Sequence, residues 1–462
     1  MFGFNSSQKP RRAGRPLLAG LALVFGCGPV AGQAVPVATV VAAPAALPMP
    51  APAAFGLTRR GQRRARVPFL TQRNLLVISA RLNGRGPFNF LLDSGVGSSL
   101  LTSAALADSL GLAHGTEYRL LGVGGTDSGL RAYETTNVRT TLPGGIEAAG
   151  LTWLVLTTDV LDLSGYVGMP MHGILGADLF RSFVVTIHSD SRVLELADPA
   201  TYRPPTGKRW ASLPLTLDRD KAYVMADVEL LSAGLEATSG SATKVGPEVG
   251  PLPLRLVLDT GAGHALSLET SADARLHLPA MRLRTDLGRG LSGLVSGWLG
   301  RVASVRLGRY RLPQVLTSFP DSSQVHERLT GAARGRQGNL GYEMLKRFTT
   351  VIDYPHQRLL LRPVANWREP FEHDMCGLDL LATGPDFRRY VVLRVVPGSP
   401  AAAAGIVEGE ELLSLNFLPA SAYSLTDLSR LLHSRDGLVL FLLLRRPDGE
   451  NHVARVQLKR QI

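Results

Sequence analysis

The chain has 462 residues, of which 45% are hydrophobic and 19% charged, a length and composition that allow two to four domains and exclude a disordered protein. Its two cysteines, Cys27 and Cys376, are too few for a disulfide framework or a four-thiolate zinc site, and a multi-pass membrane protein is excluded because no apolar run of about 20 residues occurs beyond the N-terminus. Of the net charge of +12, residues 1–66 carry +9 with no Asp or Glu, which leaves +3 for the other 396 residues. This small charge and the aromatic content of 6% disfavour a nucleic-acid binder.

The N-terminus has the order of a secretory signal. Basic residues up to Arg15 precede an apolar stretch that ends near Phe25, and Gly32-Gln33-Ala34 fits a small-x-small cleavage site. Residues 1–34 are therefore predicted to be a signal peptide that exports the protein to the periplasm or cell envelope. A lipoprotein acylated at Cys27, which Phe25 counts against, and a single anchoring helix are alternatives. Either would associate the protein with a membrane through its N-terminus.

Residues 35–66 are rich in alanine, proline and valine and end in a run of five arginines within eight residues, from Arg59 to Arg66. This composition does not bury a core, so a semi-rigid, partly polyproline linker is predicted. The basic run is interpreted as a solvated tether.

Two segments 166 positions apart resemble each other. Each is an apolar strand that runs into an Asp-Ser/Thr-Gly triplet, Asp93-Ser94-Gly95 in the first and Asp259-Thr260-Gly261 in the second. About 80 residues later, residues 172–187 align without a gap with residues 337–352. Two motifs repeated at a near-constant offset indicate duplicated lobes. A third triplet, Asp127-Ser128-Gly129, lacks the preceding strand and a repeat partner and is interpreted as a polar turn.

Two carboxyl groups at the ends of buried strands point to acid–base chemistry. If a pseudo-two-fold axis brings Asp93 and Asp259 to about 3 Å, they cannot both ionise, so one proton is shared and the apparent pKa values separate. The ionised group can then take a proton from a water molecule while the protonated group polarises a carbonyl. This is general acid–base hydrolysis of an amide without a covalent intermediate, and we expect neither a cofactor nor a metal.

The residues that follow each aspartate are assigned a supporting role in the catalytic loops. Ser94 and Thr260 supply hydroxyl groups that can hydrogen-bond across the lobe interface. Gly95 and Gly261 allow a tight turn and offer backbone N–H groups to the carboxylates.

The two triplets, each with a later apolar-Gly motif (Ile174-Leu175-Gly176 and Asn339-Leu340-Gly341), resemble the aspartic peptidases. The closest resemblance is to the bacterial retropepsin-like group, here with both lobes in one chain as in pepsin, and it covers roughly residues 67–365. It implies a mainly β fold, a bilobal pair of β-barrels with one catalytic aspartate per lobe, Asp93 and Asp259, and polypeptide substrates. Asn339 departs from the usual apolar residue, which is expected to loosen the packing of its loop.

Glycine-rich segments are candidates for the flap that, in this family, closes over the substrate. Gly122-Val123-Gly124-Gly125 resembles the retropepsin flap, and Leu287-Gly288-Arg289-Gly290 lies at the corresponding place in lobe 2. No tyrosine stands where a pepsin flap carries one, so which lobe supplies the main flap stays open. His264, close to the second triplet, is interpreted as a satisfied or exposed side chain, and the alternative is a side chain that modifies the pKa of the aspartate pair.

From about Phe371 the sequence resembles a bacterial PDZ domain, with a strand at residues 390–396, Pro397-Gly398-Ser399-Pro400, a small-residue helix and a Gly-Glu-Glu strand start in order. The resemblance implies an α+β domain that binds peptide C-termini or extended segments by strand addition, with Gly377, Leu378, Asp379 and Leu380 near the terminal carboxylate. The alternative is a PDZ domain that only braces the lobes, because Asp379 places a negative charge near an anion site.

The predicted organisation is a signal peptide, a linker, two peptidase lobes and a PDZ domain, at residues 1–34, 35–66, 67–202, 203–368 and 369–462. The predicted function is that of an exported aspartic endopeptidase using Asp93 and Asp259, with the PDZ domain recruiting protein substrates or partners. The alternative is a non-catalytic pseudo-peptidase or scaffold that holds peptide in the cleft and the PDZ domain. The presence of both aspartates and both hydroxyl residues favours the enzyme.

Overall fold

The computed structural model describes residues 55–120, 130–159, 161–218, 220–231, 250–290, 293–321 and 335–462. The predicted signal peptide, most of the predicted linker and the candidate flap Gly122-Val123-Gly124-Gly125 lie outside these ranges, as does the triplet Asp127-Ser128-Gly129. Within them, no helix is long and apolar enough to cross a bilayer.

Lobe 1 is formed by twelve strands and three short helices. The strands are β1 (Gly56–Leu57), β2 (Arg64–Pro68), β3 (Leu70–Gln72), β4 (Leu75–Leu82), β5 (Arg85–Leu92), β6 (Leu100–Leu101), β7 (Glu117–Leu120), β8 (Leu130–Leu142), β9 (Ile146–Leu156), β10 (Gly173–Leu175), β11 (Val184–His188) and β12 (Val193–Ala197). The helices are α1 (Ala104–Ser109), α2 (Leu163–Val167) and α3 (Asp178–Ser182). Nine of the strands form one sheet in the order β1-β9-β6-β10-β5-β4-β8-β7, with β3 paired to β4.

Lobe 2 repeats this plan. Its strands are β13 (Ala211–Asp218), β14 (Lys221–Glu229), β15 (Leu252–Leu258), β16 (Leu266–Leu268), β17 (Arg282–Gly290), β18 (Gly293–Leu307), β19 (Tyr310–Pro320), β20 (Gly338–Leu340), β21 (Phe348–Asp353) and β22 (Arg358–Pro363), with the helix α4 (Tyr342–Leu345). In both lobes the strand that ends at the aspartate, β5 or β15, pairs in parallel with the strand of the apolar-Gly motif, β10 or β20.

A continuous sheet joins the lobes. Strands β2, β12 and β11 of lobe 1 continue into β21, β22 and β13 of lobe 2. At the junction β11 and β21 are antiparallel, and Thr186 lies opposite Val351, its counterpart in the sequence repeat. Because each repeat copy pairs with the other at equivalent residues, the pseudo-two-fold axis passes through this junction.

One hydrophobic core extends through both lobes. It contains large side chains that are fully buried, among them Phe90, Trp153, Phe180 and Phe348. Phe90 and Trp153 pack with their ring centroids 5.1 Å apart. Each such side chain contributes about 1.5–3 kcal/mol through burial alone, so the lobes share one cooperative interior that fixes the two aspartate strands relative to each other.

The predicted linker extends too far, because its last residues belong to lobe 1. Strand β1 pairs with β9, and β2 pairs with β12 along its whole length. Within β2, Ala65 and Val67 are buried while Arg64 and Arg66 are exposed, and both arginines contact Glu195. Buried and exposed residues thus alternate along β2, which is typical of a strand with one buried face. Counting the charges of the segment as a whole does not reveal this alternation.

The C-terminal module has its own core and a six-stranded sheet. Its elements are β23 (Leu378–Thr383), β24 (Arg389–Val395), α5 (Pro400–Ala403), β25 (Glu411–Leu415), β26 (Leu418–Pro419), a 3₁₀ turn (Ala420–Ala422), α6 (Leu425–Leu432), β27 (Val439–Arg445) and β28 (Asn451–Gln457). The sheet order β23-β24-β25-β27-β28 leaves β23 at an edge. Helix α6 begins with a capping box between Ser424 and Asp427. The predicted fold class, mainly β with a bilobal β-barrel pair and a PDZ-type α+β domain, is confirmed.

Candidate active site

The two aspartates occupy equivalent positions, one residue beyond the ends of β5 and β15. The Asp93 N–H donates to the Leu175 carbonyl and the Asp259 N–H donates to the Leu340 carbonyl, each at 3.0 Å. Each aspartate backbone is therefore anchored by the apolar-Gly motif of its own lobe, which explains why the two motifs repeat together.

The glycines that begin β10 and β20 are required by close packing. A Cβ atom on Gly173 would lie 1.9 Å from the Leu100 carbonyl oxygen, and one on Gly338 would lie 1.9 Å from the Ser267 carbonyl oxygen. Any side chain at these positions would displace the strand that holds an aspartate, so glycine is needed in both lobes.

The hydroxyl residues cross between the lobes. The Ser94 N–H donates to Thr260 Oγ1 and the Thr260 N–H donates to Ser94 Oγ, both at 3.0 Å. The Ser94 hydroxyl donates to the Leu258 carbonyl at 2.8 Å, and the Thr260 hydroxyl to the Leu92 carbonyl at 2.9 Å. Because both side chains are fully buried, these four bonds lie out of water and hold the two loops at a fixed separation.

The carboxyl groups face each other across this network. The Gly95 N–H donates to Asp93 Oδ1 at 2.7 Å and the Gly261 N–H to Asp259 Oδ1 at 3.1 Å. A Cβ on Gly95 would lie 3.0 Å from the carboxyl carbon of Asp259, and a Cβ on Gly261 would lie 2.2 Å from that of Asp93. Each glycine therefore leaves room for the aspartate of the opposite lobe, and the structure brings Asp93 and Asp259 into one site.

The environment of Asp93 favours its protonated form. Burial, followed by the negative charge of Asp259, raises the pKa of Asp93 to about 8, while the Gly95 N–H opposes this rise. A hydrogen bond between the two carboxyl groups raises the pKa of Asp93 further. The pair can therefore share one proton near neutral pH.

Asn339 breaks the symmetry of the pair. Its side-chain amide Nδ2 donates to Asp259 Oδ2 at 2.8 Å, whereas the equivalent residue of lobe 1 is the apolar Ile174. A neutral donor stabilises negative charge on the carboxylate that it contacts, so the structure favours the charge on Asp259 and the proton on Asp93. From the sequence, Asn339 is expected only to loosen the packing of its loop. The sequence signal for its contact with Asp259 is that a polar residue occupies this position in one of the two apolar-Gly motifs and an apolar residue in the other.

Two further ionisable groups lie near the pair. Lys221, at the start of β14, has its pKa lowered by burial and then by Arg336, while both aspartates raise it. His264 is half-buried and lines the cavity, and burial lowers its pKa. Within the described ranges its Nε2 atom has no hydrogen-bond partner, so the interpretation of His264 as satisfied or exposed is wrong. His264 therefore lines the cavity beside the second triplet, whereas Lys221 adds positive charge to the site.

The aspartates open onto a cavity of about 1220 Å³. Strands β17 and β18, here called the lobe-2 hairpin, line it through Asp286, Leu287, Gly288 and Leu294. The candidate flap Leu287-Gly288-Arg289-Gly290 thus lies at the end of β17 beside the aspartate cavity.

The residues predicted to bind a peptide in the PDZ domain already have partners in this chain. The N–H groups of Gly377 and Leu378 both donate to Asp374 Oδ2 at 2.9 Å. Arg73 of lobe 1 forms an ion pair with Asp379 at 2.8 Å and donates to the Leu380 carbonyl at 3.4 Å. The N–H groups expected to bind a terminal carboxylate therefore bind an internal one.

A metal centre is not indicated by the side chains. Over the described ranges, no group of three or more His, Cys, Asp or Glu residues is arranged to hold an ion.

The fold and the site together define a bilobal β protein in which each lobe contributes one aspartate to a shared cavity. Comparison with known families agrees, since residues 78–179 and 245–344 match the aspartyl protease family and residues 391–446 match the PDZ domain. The chain therefore contains a duplicated aspartyl protease domain followed by a PDZ domain, as its motifs predicted.

No curated protein matches the chain. Among solved structures, the photosystem II D1 C-terminal processing protease is 24% identical over 19% of this chain and 23% of that protein, with a TM-score of 0.18. This similarity is too limited to support any conclusion about fold or function.

Proposed function

We propose that the protein is an aspartic endopeptidase that hydrolyses peptide bonds at the pair formed by Asp93 and Asp259. The observation that carries this proposal is the convergence of two carboxyl groups, one from each lobe, at a cavity lined by both lobes. The aspartyl protease domain supports the same assignment.

The asymmetry of the pair assigns the two roles. Asp259, which accepts a hydrogen bond from Asn339, is the ionised base that takes a proton from the attacking water. Asp93, whose pKa is raised by burial and by Asp259, carries the shared proton and donates it to the substrate carbonyl oxygen as the tetrahedral intermediate forms. As the C–N bond breaks, the proton taken by Asp259 passes to the leaving nitrogen and a hydroxyl group of the intermediate returns its proton to Asp93, so both groups regain their starting protonation states.

The network between Ser94 and Thr260 serves this chemistry through geometry. Its four buried hydrogen bonds fix the separation of the two carboxyl groups before a substrate arrives. Preorganisation of this kind matters because a displacement of about 1 Å can cost about 100-fold in rate.

The test is cleavage of a denatured protein and of a peptide library by purified wild type, Asp93→Asn and Asp259→Asn. We expect each substitution to abolish cleavage, with inhibition of the wild type by a statine-type transition-state mimic. Asp190→Asn is the matched control, because Asp190 lines the same cavity but is exposed and outside the pair. Cleavage by Asp259→Asn at the wild-type rate would refute the assignment.

The second candidate, a pseudo-peptidase that binds without cutting, is separated by the same proteins. It requires that the wild type binds the statine-type mimic, measured by calorimetry, and leaves every substrate intact. The intact hydroxyl network and the raised pKa of Asp93 favour the enzyme, since a cleft that only binds peptide has no need of a protonated carboxyl.

Location and recruitment complete the proposal. We propose export to the periplasm or cell envelope because residues 1–34 have the composition of a signal peptide. Sequencing the N-terminus of the mature protein tests this proposal, with Val35 expected first. Recruitment of polypeptide substrates or partners is the role that the PDZ domain suggests. Because β23 contacts lobe 1, recruitment through this strand requires that contact to open.

A further inference from the structure

The peptide-binding side of the PDZ domain faces lobe 1. We define the PDZ groove as the space between the edge strand β23 (Leu378–Thr383) and the helix α6 (Leu425–Leu432), where strand addition places a peptide. Helix α2 of lobe 1 lies against this groove. A Cβ on Gly165 would lie 2.9 Å from Leu381 of the strand, and a Cβ on Gly168 would lie 2.8 Å from Leu425 of the helix.

Arg73 completes the contact between lobe 1 and the groove. Its guanidinium lies 4.4 Å from the ring centre of Tyr166, forms the ion pair with Asp379 and donates to the Leu380 carbonyl. Its backbone N–H donates to Thr426 Oγ1 of α6 at 3.3 Å. With an exposed fraction of 17%, the Arg73 side chain is largely sealed inside this interface.

The neighbouring strand of the PDZ sheet contacts lobe 2. Arg394 of β24 forms an ion pair with Asp286 of the lobe-2 hairpin, and Asp286 also accepts a hydrogen bond from Ser296 Oγ at 2.9 Å. In the sheet register Arg394 is the cross-strand partner of Asp379. Two adjacent PDZ residues of opposite charge therefore contact both lobes, Asp379 on lobe 1 and Arg394 on the lobe-2 hairpin.

The location of these pairs connects them to the reaction. Asp286 and its neighbours Leu287 and Gly288 line the aspartate cavity, as do Asp379 and Arg394. Gly288 lies where the β17–β18 register shifts, with φ +136°. Such an irregularity interrupts the backbone hydrogen bonds between β17 and β18, so the position of the hairpin depends on contacts from outside it. Among the described residues, two charged contacts from outside the hairpin supply this near the register shift: Arg394 on Asp286 and Asp321 on Arg284.

We propose that the PDZ domain forms a fixed wall of the peptidase cleft, and that Arg394 is a positioning residue that holds the lobe-2 hairpin against the aspartate cavity, while Asp379 holds the PDZ domain to lobe 1. This inference rests on the proposed peptidase function. The half-buried ion pair of Asp286 and Arg394 sets the hairpin position, and Arg73 and α2 hold the PDZ domain to lobe 1. The groove is thereby engaged by the chain itself, with Asp374 on its N–H groups.

The test uses charge reversal in the full-length protein. Arg394→Asp and Asp286→Arg each create a like-charge pair, and the double variant restores opposite charges in swapped positions. Arg389→Asp is the matched control, since Arg389 lies in the same strand but pairs with Glu411 inside the PDZ domain. Two readouts are measured: kcat and KM on a short peptide too small to span the PDZ domain, and hydrogen exchange of residues 282–290 and 293–307.

We expect each single reversal to raise KM about tenfold and to speed hairpin exchange about tenfold, the scale of one lost half-buried pair. The double variant should return both to within about threefold of wild type, and Arg389→Asp should change neither. Single variants that match Arg389→Asp in both readouts would overturn the proposal, as would a double variant that fails to recover. If the wild type cleaves no substrate, the peptidase proposal fails, while hairpin exchange still decides the role of Arg394.

Discussion

Replacing Asn339 by isoleucine would give lobe 2 the residue that lobe 1 has at Ile174. The change removes the 2.8 Å hydrogen bond to Asp259 Oδ2. A hydrogen bond to a charged group contributes about 1.5–3 kcal/mol, and 1.36 kcal/mol corresponds to one pH unit. Ionisation of the pair becomes harder without the donor, so the acidic limb of the kcat/KM–pH profile should move up by about 1–2 pH units.

The assay is kcat/KM on a peptide substrate across the pH range in which the wild type stays folded. The reciprocal variant Ile174→Asn is the control, because its amide would face Asp93 by the symmetry of the lobes. A donor there lowers the pKa of Asp93, so its alkaline limb should move down instead. An acidic limb of Asn339→Ile that stays within about 0.3 pH units of wild type, or moves down, would refute the asymmetric assignment of the pair.

Three further outcomes are expected. Activity should fall above about pH 8, because Asp93 then loses its proton. Lys221→Met should move this alkaline limb to higher pH, because the positive charge of Lys221 lowers the pKa of Asp93. A pH–rate profile of each protein measures both effects. Thr260→Val should lower the free energy of unfolding, measured by urea titration, by roughly 3 kcal/mol, because it leaves the buried Ser94 N–H and Leu92 carbonyl without their partner. Thr216→Val is the control and should change this free energy by less than about 0.5 kcal/mol, because Thr216 is exposed. Gly261→Ala should reduce kcat by about 100-fold or more in a folded protein, because a Cβ at this position would lie 2.2 Å from the Asp93 carboxyl group. A wild-type kcat would contradict this close approach of Gly261 to Asp93.

The aspartate pair could be predicted because each part of it is local and occurs twice. A strand, an Asp-Ser/Thr-Gly triplet and a later apolar-Gly motif recur at nearly the same offset, and each requires the others through backbone hydrogen bonds such as Asp93 to Leu175. Glycine is required at Gly173 and Gly338 to avoid a clash, so the same residue recurs at equivalent positions and is visible in the sequence.

Lys221 could not be predicted in this way. Val77 pairs with Leu91 in lobe 1 and Tyr223 pairs with Val257 in lobe 2, so Lys221 corresponds to Leu75. The connection from β14 to β15 is much longer than that from β4 to β5, which changes the repeat offset from 166 to 146 positions. The alignment, and with it the charge beside the pair, becomes visible only through strand pairing.

The amino-acid sequence by itself determined the duplication, the two aspartates and the PDZ pattern, because these depend on short motifs that recur within the chain or lie close together in it. The mainly β class followed from the family resemblance of the same motifs. Tertiary structure alone decided that Asn339 contacts one aspartate, that residues 55–66 join lobe 1 and that the PDZ groove faces α2 and Arg73. Such contacts join residues up to 353 positions apart. An ion pair such as Arg73–Asp379 arises because whole domains pack together, so no local sequence pattern predicts it.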